Sequence, residues 1–159
     1  TKMETKDWIS LILPTSLALI AAIVGSYFSA RFAIRKAFQE RWWARKEAAY
    51  TEIIDALYDM IRYSDLCAEE YLTGRDSEHP KKKEFSDGYS AAHWRILRAT
   101  DIGAFVISAD TAKSLQRLRE RPKLKWEDNP PWELYEEDSK NYRATLVEVR
   151  DCAKRDLNV

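Results

Sequence analysis

Few side chains in this sequence are suited to chemistry. There are two histidines, His79 and His93, and two cysteines, Cys67 and Cys152, in 159 residues. No His, Cys and carboxylate set has metal-ligand spacing, and with only four glycines there is no glycine-rich phosphate loop. One short stretch stands apart. "RDSEH", residues 75–79, places a guanidinium and an imidazole in one polar segment. Such a pair can serve RNA cleavage, the imidazole as acid or base and the guanidinium on the phosphate. Arg75 and His79 are therefore the candidate catalytic residues, against the plainer reading that both are exposed loop side chains. His93, next to Trp94, reads as structural or surface. The carboxylates are spread over helix surfaces, where solvation is their usual role. The sequence predicts no metal, no cofactor and no enzyme activity.

The elements that would position any site begin with an apolar run. Residues 8–30 contain no charge and are bracketed by Asp7 and Arg31. At about 1.5 Å per residue, about 20 helical residues cross a hydrocarbon core, so this run is long enough to span. It does not read as a secretory signal. Positive charge follows it rather than leading it, and Phe28-Ser29-Ala30 puts a bulky ring where a cleavage site wants a small residue. Arg31, Arg35 and Lys36 form a basic collar directed at the membrane surface. With Arg41, Arg45 and Lys46 they place the N-terminus outside and the rest of the chain in the cytoplasm, as in a bacterial inner-membrane protein. The expected division is residues 1–30, tail and transmembrane helix, and residues 31–159, a cytoplasmic helical domain.

Within "ALIAAIVGSYFSARFA", residues 18–33, the small residues fall in two adjacent rows of fourfold spacing. Ala18, Ala22, Ser26 and Ala30 form one row, and Ala21, Gly25, Ser29 and Ala33 the other. In lipid, helices associate by close backbone approach, which small residues four apart permit. A flat strip two rows wide predicts self-association, the second partner being the lipid itself. In a ring of copies Ser26 and Ser29 could line a wet lumen; in a dimer they would be buried contact.

After Ala30 nothing breaks the helix before Thr73-Gly74. Phe38, Trp42, Ala49, Ile53, Leu57, Met60 or Ile61, and Leu66 recur at helical spacing. Trp42 and Trp43 lie too far past Arg31 for a membrane belt and are expected in bundle packing or an intersubunit contact. Residues 73–87 read as a loop. A second helix is expected from near Ser86 and Asp87, with Trp94, Leu97, Ile102, Phe105, Val106 and Ile107 on its apolar face and Gly103 interrupting it. Ser108-Ala-Asp110 reads as a restart that stops before Pro122. Residues 123–132 form a loop around Pro130-Pro131, and a last helix runs over about 132–157 with Tyr135, Tyr142, Leu146, Val149, Ala153 and Leu157 in one stripe. No segment alternates with period two. The fold class is all-α: one N-terminal transmembrane helix continuing into a cytoplasmic bundle of four or five helices.

The charges balance at 26 basic and 26 acidic, which argues against bulk nucleic-acid binding. They are unevenly placed. Residues 31–46 carry six positive charges and one negative, and residues 127–138 carry six negative and none positive. Both blocks read as solvated faces, the basic one touching anionic lipid. A sharper reading has the acidic block of one copy meeting a basic region of the next.

The layout, one N-terminal span, the basic "RKAFQERWWARKEAAYTEIIDALYDM" helix at residues 35–60, a compact helical domain and a terminal "AKRDL", resembles small membrane-anchored helical proteins of bacterial antiphage defence. The nearest are the HEPN-like membrane accessory proteins of type VI-B CRISPR systems. That resemblance implies a helical membrane oligomer that forms a pore and strengthens defence. HEPN nucleases place four to six residues between an Arg and a His; Arg75 and His79 have three between them, so the resemblance implies a non-catalytic version. Three functions follow as expectations: a membrane-embedded homo-oligomer, in the form of a pore, that perturbs the inner membrane in antiviral defence; a single-span anchor or scaffold holding a cytosolic defence protein; or a membrane-tethered RNA-binding protein or nuclease.

Overall fold

A computed structural model of the chain describes residues 5–74, 82–102 and 105–158, with side chains described from residue 22 onward except that of residue 102. All regular structure among the described residues is helical: α1 (Thr5–Thr73), α2 (Lys82–Ile102), α3 (Ala109–Glu120) and α4 (Pro131–Leu157). The protein is all-α, with four helices among the described residues. It divides into two compact units, Thr1–Trp42 and Trp43–Val159, and α1 belongs to both.

The second unit holds the core. On α1 the buried side chains Tyr50, Ile53, Leu57, Met60 with its neighbour Ile61, Ser64 and Cys67 recur every three or four residues, one face of a 3.6-residue helix. They meet Ala92 and Ile96 of α2, Leu115 and Leu118 of α3, and Tyr142, Leu146, Val149 and Ala153 of α4. Ile107, in the α2–α3 connection, closes the cluster. Each fully buried Leu or Ile in such a cluster contributes about 1.5–3 kcal/mol from surface removed from water.

The helix ends have local causes. Gly74 stops α1 at φ +60°, a left-handed conformation that a Cβ disfavours and that glycine adopts freely. Ser108 caps α3: its side chain accepts a hydrogen bond from the Thr111 N–H, and its carbonyl accepts from the Ala112 N–H at 3.0 Å. α3 ends as Arg121, which precedes Pro122, takes an extended backbone. Pro131 occupies the first turn of α4, where its missing N–H costs nothing, and left-handed Asn158 ends that helix with its N–H on the Lys154 carbonyl.

Two expectations are corrected. α2 starts at Lys82, not near Ser86 and Asp87. Its first turn is held from α1, by the Lys82–Glu70 ion pair at 2.8 Å and by the Arg62 guanidinium 4.6 Å above the Phe85 ring. The expected apolar face of α2 holds only in part: Ile107 joins the core and Leu97 is half-buried, but the two large rings do not turn inward. Trp94 is 71 % exposed, and Phe105, just past the helix, is 80 % exposed; Ala92 and Ile96 take the inward positions.

Candidate functional site

The candidate site predicted from the small-residue strip lies on α1. Among its described positions, Ala22, Gly25, Ser26, Ser29, Ala30 and Ala33 are all exposed. A Cβ built at Gly25 meets nothing within 4 Å. The Ser26 hydroxyl donates to the Ile23 carbonyl at 2.9 Å, which satisfies it within its own helix and leaves it no need of water. Ala18 and Ala21 lie outside the described side chains, as do residues 8–21 of the expected span. Among the described residues, no helix is long and apolar enough to cross a membrane.

The large side chains of this segment are as exposed as the small ones. Ile23, Val24, Tyr27 and Phe28 stand 48–61 % exposed, and Phe32, Ile34 and Phe38 stand 68–77 % exposed. They occupy one half of the helix circumference and the small residues of the strip occupy the other, and none of these described side chains is buried. The basic collar follows directly: Arg31, Arg35 and Lys36 are exposed, with an Arg31 guanidinium nitrogen 3.5 Å from the Tyr27 hydroxyl. Trp42 and Trp43 are each 42 % exposed and do not join the core.

In the second unit the polar groups mostly engage one another. A groove of about 850 Å³ runs along α3 and α4. Its charges pair within it, Arg117 with Glu148 at 2.7 Å and Arg155 with Asp110 at 3.6 Å, and Ser114 donates to Glu148. Beneath it Tyr50, 1 % exposed, joins three helices through one hydroxyl. It donates to Asp156, stands 3.2 Å from the Ser108 and Thr111 hydroxyls, and accepts from the Ser108 N–H at 3.2 Å. Burial first, and then the Asp156 carboxylate, push this phenol above its ordinary pKa. Sequence reasoning missed this residue, because its partners lie up to 106 positions away.

A second cavity, about 460 Å³, is lined by Tyr63, Cys67, Tyr71 and Tyr135 together with Gly74 and Lys82. The Tyr71 and Tyr135 rings stack at 5.8 Å, Tyr63 meets Tyr135 edge-on at 6.4 Å, and Trp126 does so from the other side at 5.9 Å. Burial raises the Cys67 thiol, and burial with the neighbouring Cys67 and tyrosines pushes Tyr135 up to about 12. These are protonated, unreactive groups at neutral pH. Arg75 and His79 lie outside the described residues. The acidic block is partly spent internally: Asp138 accepts from Arg121, and Glu137 accepts from Asn141 at 3.1 Å. Among the described residues no group of three His, Cys, Asp or Glu side chains is arranged to hold a metal ion.

The described residues thus define a class, an all-helical protein in which an uncovered apolar helix segment precedes a self-contained bundle. No family model, no curated protein and no solved structure matches this chain.

Proposed function

We propose that this chain is a single-span membrane protein that self-associates along the small-residue strip of α1. In assembled form it perturbs the inner membrane as a pore-forming accessory of a bacterial antiviral defence system. One observation carries the membrane reading: residues 22–30 of α1 are all exposed and carry no charge, with large apolar side chains on one half of the helix and the small-residue strip on the other, immediately before a basic collar. A helix with no charged side chain on either half is at rest inside a protein core or a bilayer. The only core among the described residues is already filled by other residues. Lipid covers the large side chains, the collar lies at the anionic surface, and a second copy covers the flat strip. The defence setting and the pore rest on the resemblance in layout.

Membrane fractionation tests the reading. The protein is expected in the membrane pellet, resistant to alkaline carbonate and released by detergent; recovery in the soluble fraction would reject it. Dye release from liposomes holding the purified protein then tests the pore. A second reading, an anchor for a cytosolic partner, is favoured by the loop between α3 and α4, where Leu124 and Trp126 stand 42 % and 56 % exposed. It predicts stable membrane insertion without leakage.

A further inference from the structure

A small cavity between α2, the end of α3 and α4 has an unusual charge pattern. It opens to solvent, offers about 60 Å³ and is lined by His93 of α2, by Arg119, Arg121 and Lys123 at the close of α3, and by the hydroxyl-bearing rings of Tyr89 and Tyr142; His93, Arg119 and Lys123 are exposed. The rest of its lining is apolar, Ile96 and Leu118 included, and no described carboxylate lines it. The arrangement has a backbone cause. α3 ends at Glu120, and Pro122 holds Arg121 extended. The extended backbone lets Arg121 and Lys123, with Arg119 in the last turn, serve the same cavity.

The cluster is fixed by its surroundings. The Tyr89 and Tyr142 hydroxyls lie 3.2 Å apart. Arg121 sits 5.0 Å above the Tyr142 ring while it donates to Asp138, which lies outside the cavity. The His93 ring stacks on Tyr89 at 6.5 Å and 17°. Arg119 donates to Asp101 at 2.9 Å, both groups about half-exposed or more, so this pair is weakly held and can share its guanidinium. Lys123 is exposed and faces His93 with no described acid between them in the cavity. Arg121 and Arg119 each have one acid partner outside the cavity lining, and Lys123 adds a third positive charge at its exposed rim beside His93, so the lining itself carries positive charge over an apolar floor.

We infer that this cavity binds a phosphate-type oxyanion, free or carried by a small phosphate ester. The space of about 60 Å³ holds roughly four to six waters at about 10–15 Å³ each, which suits one tetrahedral oxyanion. Guanidinium groups, an ammonium and the one phenol O–H that the Tyr89–Tyr142 pair leaves over supply donors from several directions, which a tetrahedral anion uses and a planar carboxylate does not. Burial, and then Lys123, lower the His93 pKa, so the imidazole waits in its neutral form and takes up a proton when the anion arrives. The site is independent of the membrane reading and gives the bundle a soluble ligand to sense.

The test uses the full chain in a zwitterionic detergent with labelled histidine. The two histidines give two imidazole signals, assigned with His79→Gln, and His79 serves as the internal control. Sulfate, which does not titrate near neutrality, is compared with chloride at equal ionic strength. A ten-fold preference for the protonated ring raises the His93 pKa by about one unit at saturation. The expected result is that rise at His93 alone, lost in the Lys123→Gln/Arg119→Gln variant, whose changes are on exposed side chains and leave the core intact. Inorganic phosphate, glycerol 3-phosphate and adenosine 5′-monophosphate are then titrated; competition with sulfate by any of them supports the site and identifies its source. Equal shifts at His79 and His93, no shift at either, or a His93 shift that survives the double substitution would overturn it.

Discussion

Tyr50→Phe removes one oxygen and keeps the buried ring, so it isolates the hydrogen-bond junction from packing. The deleted hydroxyl donates to the Asp156 carboxylate, accepts from the Ser108 N–H at 3.2 Å, and stands 3.2 Å from the Ser108 and Thr111 hydroxyls. Those two hydroxyls lie 3.0 Å from each other and keep a partner. The losses are then one hydrogen bond to a charge, about 1.5–3 kcal/mol, and a part-buried N–H left without its acceptor. Asp156 is only half-buried and recovers some hydration, which brings the net cost to about 2 kcal/mol. For a unit of this size about 4 °C of melting temperature goes with each kcal/mol, so the midpoint should fall by about 8 °C. Thermal unfolding of the full chain in detergent, followed by near-ultraviolet circular dichroism, reads the bundle directly. Ser108→Ala removes the α3 cap as well, and the two substitutions together should cost less than their sum because they share the junction. A midpoint for Tyr50→Phe within about 2 °C of the parent would refute the reasoning.

Three further outcomes follow from the structure. Leu115→Ala, at a fully buried site, should cost about 2–5 kcal/mol, while Trp94→Ala, 71 % exposed, should leave the melting temperature nearly unchanged; equal effects would contradict the assigned face of α2. Tyr135, pushed up to about 12, should stay protonated where an unfolded tyrosine ionises near pH 10. The unfolded chain then loses this proton first, so stability is full below pH 10 and declines between pH 10 and about 12, measured by denaturant titration at stepped pH. Cys67 and Cys152 are both buried thiols and should react with a thiol reagent slowly in the folded protein and at once in denaturant.

Much of the architecture was legible in the sequence, and the reasons differ by element. Ser108, Pro122 and Pro130-Pro131 act through local backbone chemistry, so the bounds of α3 and α4 could be read from them. The stripe on α4 was equally plain: Tyr142, Leu146, Val149 and Ala153 are all buried. α2 misled in two ways. Its start depends on Lys82 meeting Glu70 and Phe85 meeting Arg62, contacts that local cap residues do not encode. Its inner face is chosen by fit, and Ala92 admits a close neighbour where Trp94 would not. The Tyr50 junction and the basic cavity were invisible for a related reason. Their members are scattered in sequence and are brought together only when three helices pack. By contrast, the strip on α1 needed no tertiary contact to be seen, since its fourfold spacing alone puts it on one side of a helix.

The central claim is that α1 holds copies of this chain together in a membrane. The most direct measurement is the mass of the purified protein in mild detergent, with the detergent contribution subtracted, for the parent and for Ala22→Leu/Gly25→Leu/Ser29→Leu. Those positions are exposed and a side chain at Gly25 meets nothing, so the bundle should melt as before in both. The account predicts a multi-copy assembly for the parent, ring-sized if it is a pore, and a monomer for the variant. A monomeric parent, or a variant that assembles as the parent does, would contradict it.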